Sequence, residues 1–192
     1  MTPVPLQIHT PRLLLRPWRA SDAALLEPIL ATNWDHLGPW IPRRIAEHAP
    51  VPILATRLAG FAAEFEANRE WRYGMFSANE RMAYGEIALF PRAENGRVAY
   101  SEADRAELGY WIRADATGQG LVSEAARAVF GVAATLTRVS HVEIRCDARN
   151  LPSAAIPRRL GFSLATTIGT PSVTPGDSPV ELQVWTRSIS VR

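Results

Sequence analysis

The sequence ELGYWIRADATGQGLVSEA, residues 107–125, contains the most informative pattern in the chain. An apolar-rich run that ends at Trp111 and Ile112 predicts a strand, and an amphipathic helix starts directly after Gly120. Glycines let the backbone approach a ligand closely, and the first turn of a helix has unpaired N–H groups that favour phosphate. We therefore expect a phosphate-bearing cofactor at the turn formed by Thr117, Gly118, Gln119, Gly120 and Leu121.

Taken alone, the glycine turn has two other interpretations. A Gly-X-Gly sequence before a helix can simply be loop geometry. A dinucleotide-binding fold is also conceivable, but its third glycine is replaced by Ser123, and no clear acidic strand end follows at the usual spacing.

A downstream block, VEIRCDARNLPSAAIPRRLGF at residues 142–162, narrows these alternatives. Together with the first block it resembles the GNAT N-acetyltransferases, and most closely their RimJ/RimL-like branch of ribosomal-protein N-terminal acetyltransferases. Residues 10–17, 34–42 and 179–185 resemble the first strand, early loop and last strand of that branch. The resemblance covers nearly the whole chain in the family's order.

The pattern of elements along the chain predicts one α/β domain with a mixed sheet, over residues 1–192. We expect strands at 12–17, 71–77, 82–90, 107–112, 142–146, 162–167 and 180–189, and helices at 22–30, 51–69, 121–136 and 153–160. We expect loops at 33–50, 91–104 and 170–179. The resemblance implies a GNAT-like, mostly antiparallel central sheet flanked by about four helices, with splayed strands at the cofactor site.

The resemblance also implies acetyl-CoA as cofactor. Backbone groups of Tyr110, Trp111 and Ile112 would pair with its pantetheine arm, and the Asn150 side chain would bond to the same arm. Asn150 also has the position of a helix N-cap, and both roles can hold through different atoms. The family's first motif residue, often Gln or Arg, is Asp115 here, which we expect to cap the turn instead.

Ser153 is the candidate general acid, because the serine at this spacing is the proposed proton donor in the RimL-like branch. Other GNAT enzymes use a tyrosine four residues later, and that position is Pro157. Proline has no N–H, so the Ser153 carbonyl loses its usual helical partner. Candidate bases are Glu86 and Glu107, acting directly or through water, although each could equally be a surface carboxylate. We interpret Glu124 as a structural carboxylate in the first turns of its helix.

Candidate acceptor-site residues are Trp34, Trp40 and Trp71 as walls, and Glu181 in the acceptor pocket. The tryptophans could instead be core residues or a dimer contact, and Glu181 could serve packing of the final strand.

The composition also indicates which partners, metal ions and cellular locations to expect. A net charge of +2 indicates no strong attraction to nucleic acid or to a membrane surface. Four His without ligand spacing predict no metal, and Cys146 in an apolar strand predicts a buried thiol rather than a nucleophile. The N-terminus has no signal-peptide pattern, and the cytoplasm is the expected location. The cluster of Arg145, Arg149, Arg158 and Arg159 is either a solvated face or an anion-binding patch.

The sequence therefore predicts an acetyl-CoA-dependent N-acetyltransferase in which a primary amine attacks the thioester directly. The acceptor is expected to be a protein N-terminal amine, with a small-molecule amine as the alternative. A CoA-binding sensor without turnover is the alternative from another class, and the family resemblance also allows a homodimer.

Overall fold

The computed structural model describes residues 2–170 and 179–189. The strands within these residues are β1 (Ile8–His9), β2 (Leu13–Pro17), β3 (Trp71–Ser77), β4 (Ala83–Ala93), β5 (Gly96–Arg97), β6 (Arg105–Ile112), β7 (His141–Asp147), β8 (Ser163–Thr170) and β9 (Val180–Ser188). The helices are α1 (Ala23–Thr32), α2 (Trp34–Leu37), α3 (Arg43–Ala46), α4 (Val51–Glu66), α5 (Leu121–Ala133) and α6 (Leu151–Arg159).

All the described strands belong to one mixed sheet in the order β1-β2-β3-β4-β6-β7-β9-β8, with β5 as a hairpin on β4. Within it β6 and β7 run parallel, whereas the other neighbouring pairs are antiparallel. The predicted fold class is confirmed. The described residues contain six α-helices rather than about four, because the expected loop at 33–50 contains the single-turn helices α2 and α3.

Side chains alternate between the two faces of the sheet, and each face has its own core. One core contains Met75 and Leu108 with the apolar sides of α5 and α6. The other contains Phe76 and Trp111 with α1, the short helices and Leu54 and Leu58 of α4. The sheet therefore separates two layers of helices. A site located between two strands of the sheet can be bordered by residues from both layers.

The helix α5 packs closely on the sheet because its buried face is rich in alanine. Ala125, Ala126 and Ala133 are fully buried, together with Val129. Small side chains let the helix axis approach the strands, so the N-terminus of α5 lies directly beside the end of β6.

Glu124 fixes that N-terminus to the first strands. Its carboxylate accepts hydrogen bonds from Thr10 Oγ1 at 2.6 Å, Arg12 N at 2.9 Å and Arg12 Nε at 2.7 Å. Burial acts to raise the Glu124 pKa, but these hydrogen bonds outweigh it and lower the pKa. The structural role predicted for Glu124 agrees with these contacts.

Several predicted elements have different bounds in the structure. The excursion expected at 91–104 begins as the end of β4 and then forms the β4–β5 hairpin. The Asp22 side chain makes no capping hydrogen bond to α1, because it accepts a hydrogen bond from the Arg19 backbone N–H and pairs with Arg16. Most of the loop expected at 170–179 lies outside the described residues.

We predict that Glu124→Gln lowers the free energy of unfolding at pH 7 by about 1–3 kcal/mol, because hydrogen bonds to a charged carboxylate are lost. A lowered folded-state pKa stabilises the fold above the unfolded pKa, and this stabilisation disappears as pH falls. The difference from wild type should therefore shrink below a pH of about 4. Denaturant unfolding at several pH values measures it.

The matched control is Glu64→Gln, which removes an exposed pair with Arg69. Surface pairs contribute about 0–1 kcal/mol, so the control should change stability little. An equal, pH-independent loss in both variants would contradict the role of Glu124.

Candidate functional site

The parallel strands β6 and β7 separate soon after they start. They pair at two positions, of which the last joins Glu107 to Glu143. Beyond it β6 continues along β4 to Ile112, and β7 continues along β9 to Asp147. We refer to the space between residues 108–112 and 144–147 as the β6–β7 gap. Backbone groups along a separated edge need partners, so the gap is suited to an elongated ligand with amides.

The glycine turn lies at the end of β6, as the sequence predicts. Gly118 and Gly120 have φ values of +74° and +78°, which L-residues with a side chain rarely adopt. The turn is held from outside, since Arg12 Nη1 donates to the Gln119 carbonyl at 2.9 Å. No described atom lies within 4 Å of where a Gly118 Cβ would be, so the turn is open on that side.

Asp115 does not cap the turn. Its carboxylate pairs with Arg113 at 2.5 Å on the exposed surface, so the expectation of a cap is wrong. The pairing compensates the negative charge that would otherwise face a phosphate at the turn.

Asn150 and Ser153 border the β6–β7 gap from α6. Asn150 is the N-cap of this helix, because its side-chain oxygen accepts from the Ser153 N–H at 3.1 Å. The cap uses Oδ1, so the amide Nδ2 is the group suited to a ligand in the gap.

Tyr110 supplies the hydrogen bond that Pro157 cannot. Its hydroxyl donates to the Ser153 carbonyl at 3.0 Å, and the Ser153 hydroxyl donates to Tyr110 Oη at 3.3 Å. Burial raises the pKa of Tyr110, so its phenol stays protonated and remains a donor at neutral pH. The orphaned carbonyl expected from the sequence is thus satisfied from β6, across the gap.

Cys146 lies beside Ser153 at the same place. Burial raises the pKa of its thiol, against the lowering effect of a hydrogen bond with Ser153. A neutral, buried thiol is a poor nucleophile, so these properties support the prediction that Cys146 is not the attacking group.

A cleft adjoins the gap on the face opposite α5, and we refer to it as the floor cleft. Its floor consists of cross-strand pairs of β4 and β6 that face the same way: Glu86 with Trp111, Ala88 with Gly109, and Phe90 with Glu107. The central pair is small, and the Phe90 ring lies over Gly109, where an added Cβ would meet it at 3.1 Å. One wall is the segment Trp40, Ile41, Pro42, Arg44 and Ile45, and the far end contains Tyr110, Asn150 and Ser153.

The two candidate bases lie in this floor, and both are buried. Glu86 accepts from Arg72 Nη1 at 2.7 Å and from Trp18 Nε1 at 2.9 Å. Glu107 accepts from Arg92 and Arg97, each at 2.5 Å. The alternative that they are surface carboxylates is wrong. Each oxygen already accepts a hydrogen bond, so both side chains are fixed parts of the floor.

The four predicted acceptor residues lie in four different places. Trp40 lines the floor cleft, whereas Trp34 lies in a separate shallow depression beside Arg43. Trp71 is fully buried in the core, so its prediction as an acceptor-site wall is wrong. The Glu181 side chain is exposed and lies outside the described lining of the floor cleft.

Sequence reasoning missed the arginines of the site. Arg72, Arg97 and Arg44 line the floor cleft together with Arg145, which the sequence marked only as part of a basic cluster. Arg72 and Arg97 pair with Glu86 and Glu107 on other strands, and no local motif marks such pairs. The alternation of charged with apolar residues along β3 and β4 is the one sequence signal for these arginines, because it places polar side chains together on one face of the sheet.

The comparisons with known proteins identify the family. Residues 12–163 match the model of the acetyltransferase (GNAT) domain, and the chain belongs to this family of N-acetyltransferases. It is 34% identical over 164 residues to the candidate ribosomal N-acetyltransferase YdaF of Bacillus subtilis (strain 168), covering 80% of this chain and 78% of that protein.

Two solved structures have the same fold. A RimL ribosomal L7/L12 alpha-N-protein acetyltransferase in complex with coenzyme A has a TM-score of 0.81 at 19% identity, covering 98% of this chain and 99% of its own. The microcin C7 self-immunity acetyltransferase MccE in complex with acetyl-CoA and AMP has a TM-score of 0.79 at 14% identity, covering 93% of each chain. The predicted resemblance to RimJ/RimL-like GNAT enzymes is confirmed.

A metal-binding cluster and a membrane-spanning helix are both absent from residues 2–170 and 179–189. These residues contain no group of three or more His, Cys, Asp or Glu side chains arranged to hold a metal ion. They also contain no helix long and apolar enough to cross a membrane.

We predict that Gly118→Asp weakens CoA binding far more than Gly118→Asn. Both side chains tolerate a positive φ comparably and have the same shape, so they differ mainly in a negative charge beside the first turn of α5. Calorimetric titration of CoA measures the difference, with equal melting temperatures as the control for folding. Equal CoA affinities in the two variants would remove the phosphate site from this turn.

We predict that Tyr110→Phe lowers the free energy of unfolding by about 1–3 kcal/mol, because a buried carbonyl loses its donor. In a Pro157→Ala background the restored N–H at position 157 can bond to the Ser153 carbonyl, so the same change should cost less. A double-mutant cycle in denaturant measures this coupling. Strictly additive losses would show that the two positions do not share this carbonyl.

Proposed function

We propose that this chain transfers the acetyl group of acetyl-CoA to a primary amine, and that the amine of a protein N-terminus is the acceptor. The observation that supports this most is the β6–β7 gap, which runs from the open glycine turn to the Ser153 hydroxyl. The RimL and MccE structures contain coenzyme A and acetyl-CoA, respectively. The name of the first also supports a protein α-amine as acceptor.

The residues of the gap fit acetyl-CoA. The N–H groups of Thr117–Leu121 would hold the pyrophosphate, with room at Gly118 for close approach. The separated backbone at Tyr110, Trp111 and Ile112, and the Asn150 side chain, would bond to the pantetheine amides. Acetyl-CoA supplies an acetyl group already activated as a thioester, so the protein needs no covalent nucleophile.

Ser153 would serve as the general acid. Its Oγ–H is held at the inner end of the gap, where it donates to Tyr110 Oη over a long 3.3 Å hydrogen bond. Such a weak bond lets the hydroxyl rotate and donate to a departing thiolate instead. Tyr110 keeps Ser153 in place through the carbonyl.

Glu86 and Glu107 hold the floor rather than take the amine proton directly. Every carboxylate oxygen of this pair already accepts a hydrogen bond from an arginine or an indole. The amine would lose its proton to water, and the floor would position it. If either carboxylate takes the amine proton through a water molecule, replacing that residue by Gln should lower kcat and leave the acetyl-CoA affinity unchanged.

A thiol-release assay with acetyl-CoA tests the proposal against peptides with free N-termini and against small amines. Turnover with preference for peptides is the expected result. Preference for small amines would show that the acceptor is a small molecule rather than a protein N-terminus. CoA binding without turnover on any acceptor would favour a CoA-binding sensor.

We predict that Ser153→Ala lowers kcat by about 10²-fold or more, within the usual range for general acids, while acetyl-CoA affinity changes little. Alanine suits the helix, and the cap is Asn150 rather than Ser153. Pre-steady-state kinetics under conditions where chemistry limits the rate measure the effect. Ser163→Ala is the matched control, because Ser163 is exposed in β8 and lines neither the gap nor the floor cleft.

Wild-type kcat in Ser153→Ala would leave Ser153 as a structural residue. The thiolate would then take its proton from water or from the ammonium product.

The remaining expectations stay predictions: a single domain over residues 1–192, a cytoplasmic location, no nucleic-acid or membrane partner, and assembly as a homodimer. Light scattering of the purified chain measures the last of these.

A further inference from the structure

The floor cleft has an uncompensated positive charge. Its floor arginines are paired, Arg72 with Glu86, Arg97 with Glu107, and Arg145 with Glu143. Arg44, on the wall, has no hydrogen-bond, ion-pair or ring partner among residues 2–170 and 179–189. The neighbouring Arg43 in the same single-turn helix is different, because it pairs with Glu47 at 2.7 Å.

The same cleft also has a buried donor without a partner. Trp111 is 7% exposed, and its indole N–H bonds to no atom in the described part of the chain. Leaving such a donor unsatisfied is costly, and an unpaired buried group in a cleft calls for an explanation. Trp111 packs in one cluster with Ile45, the residue after Arg44, and both line the cleft.

We propose that the acceptor carries a carboxylate close to its amine, and that the Arg44 guanidinium and the Trp111 indole N–H bind it. The proposal rests on the proposed acetyl transfer to an amine. A guanidinium and an N–H together offer one positive charge, which matches a monoanion. A phosphate monoester carries more negative charge and would approach Glu86 and Glu107 in the floor.

The carboxylate can come from two sources, an acidic side chain at the second residue of a peptide or the α-carboxylate of a free amino acid. Three acceptors distinguish them: a peptide amide with Asp at the second position, its Asn counterpart, and a free amino acid. The apolar wall beside Arg44, formed by Trp40, Ile41 and Pro42, fits the aliphatic part of any of these.

The test compares wild type, Arg44→Gln and Arg43→Gln. We expect wild type to favour a carboxylate acceptor over the Asn peptide, and Arg44→Gln to lose about tenfold in kcat/KM for that acceptor alone, as for one charge-assisted contact. Arg43→Gln should behave as wild type. Raising the salt concentration should weaken the preference in wild type and leave Arg44→Gln unchanged.

A second measurement separates this proposal from the proposed function. Calorimetric titration of the Asp and Asn peptides in the presence of CoA does not require turnover. If no acceptor is acetylated, the proposed function fails, and tighter binding of the Asp peptide that Arg44→Gln abolishes would still support the carboxylate site. Equal binding of the two peptides to wild type together with no binding of the free amino acid in the same titration, or an equal loss for all acceptors in Arg44→Gln, would overturn it.

Trp111→Phe tests the second donor. It removes the indole N–H and keeps an aromatic ring, so we expect a smaller fall in the ratio of kcat/KM for carboxylate acceptors to that for neutral acceptors, whether or not the overall rate changes. An unchanged ratio of carboxylate to neutral acceptors in this variant would remove Trp111 from the site.

Discussion

The separation of β6 from β7 determines where the candidate site lies and which residues border it. Two parallel strands that pair at two positions and then part leave backbone groups that only a ligand or water can satisfy. The parting is stable because each strand has a full antiparallel neighbour on its other side, β4 for β6 and β9 for β7. The gap is therefore a property of the whole sheet, and it connects the two helix layers at one point.

The proposed general acid, Ser153, is held from across this gap. Pro157 in α6 leaves the Ser153 carbonyl without a helical donor, and Tyr110 from β6 supplies one. The position of Ser153 thus depends on both sides of the gap at once. The carboxylates of the floor cleft are also held by residues from other elements, because their arginine partners lie on neighbouring strands. Such cross-strand pairs make a rigid, polar floor beside the end of the gap where Ser153 lies.

The sequence predicted the local features of this site well. The strand 71–77 has the predicted bounds, and the glycine turn lies where its two glycines required it. Long-range pairings were missed because they have no local pattern. Arg12 lies far along the chain from Glu124, and Trp71 differs from Trp40 only in what surrounds it in the fold. The sequence showed both the orphaned Ser153 carbonyl and the strand that contains Tyr110, but not that the two lie opposite each other across the gap.

The central claim is that the β6–β7 gap seats the acyl donor and brings it to Ser153. A crystal structure of the protein with bound CoA tests this most directly. We expect the pyrophosphate at residues 117–121, the pantetheine amides bonded to the separated edge of β6, and the thiol beside Ser153 Oγ. A structure in which CoA binds elsewhere, or in which β6 and β7 pair along their full length, would contradict it.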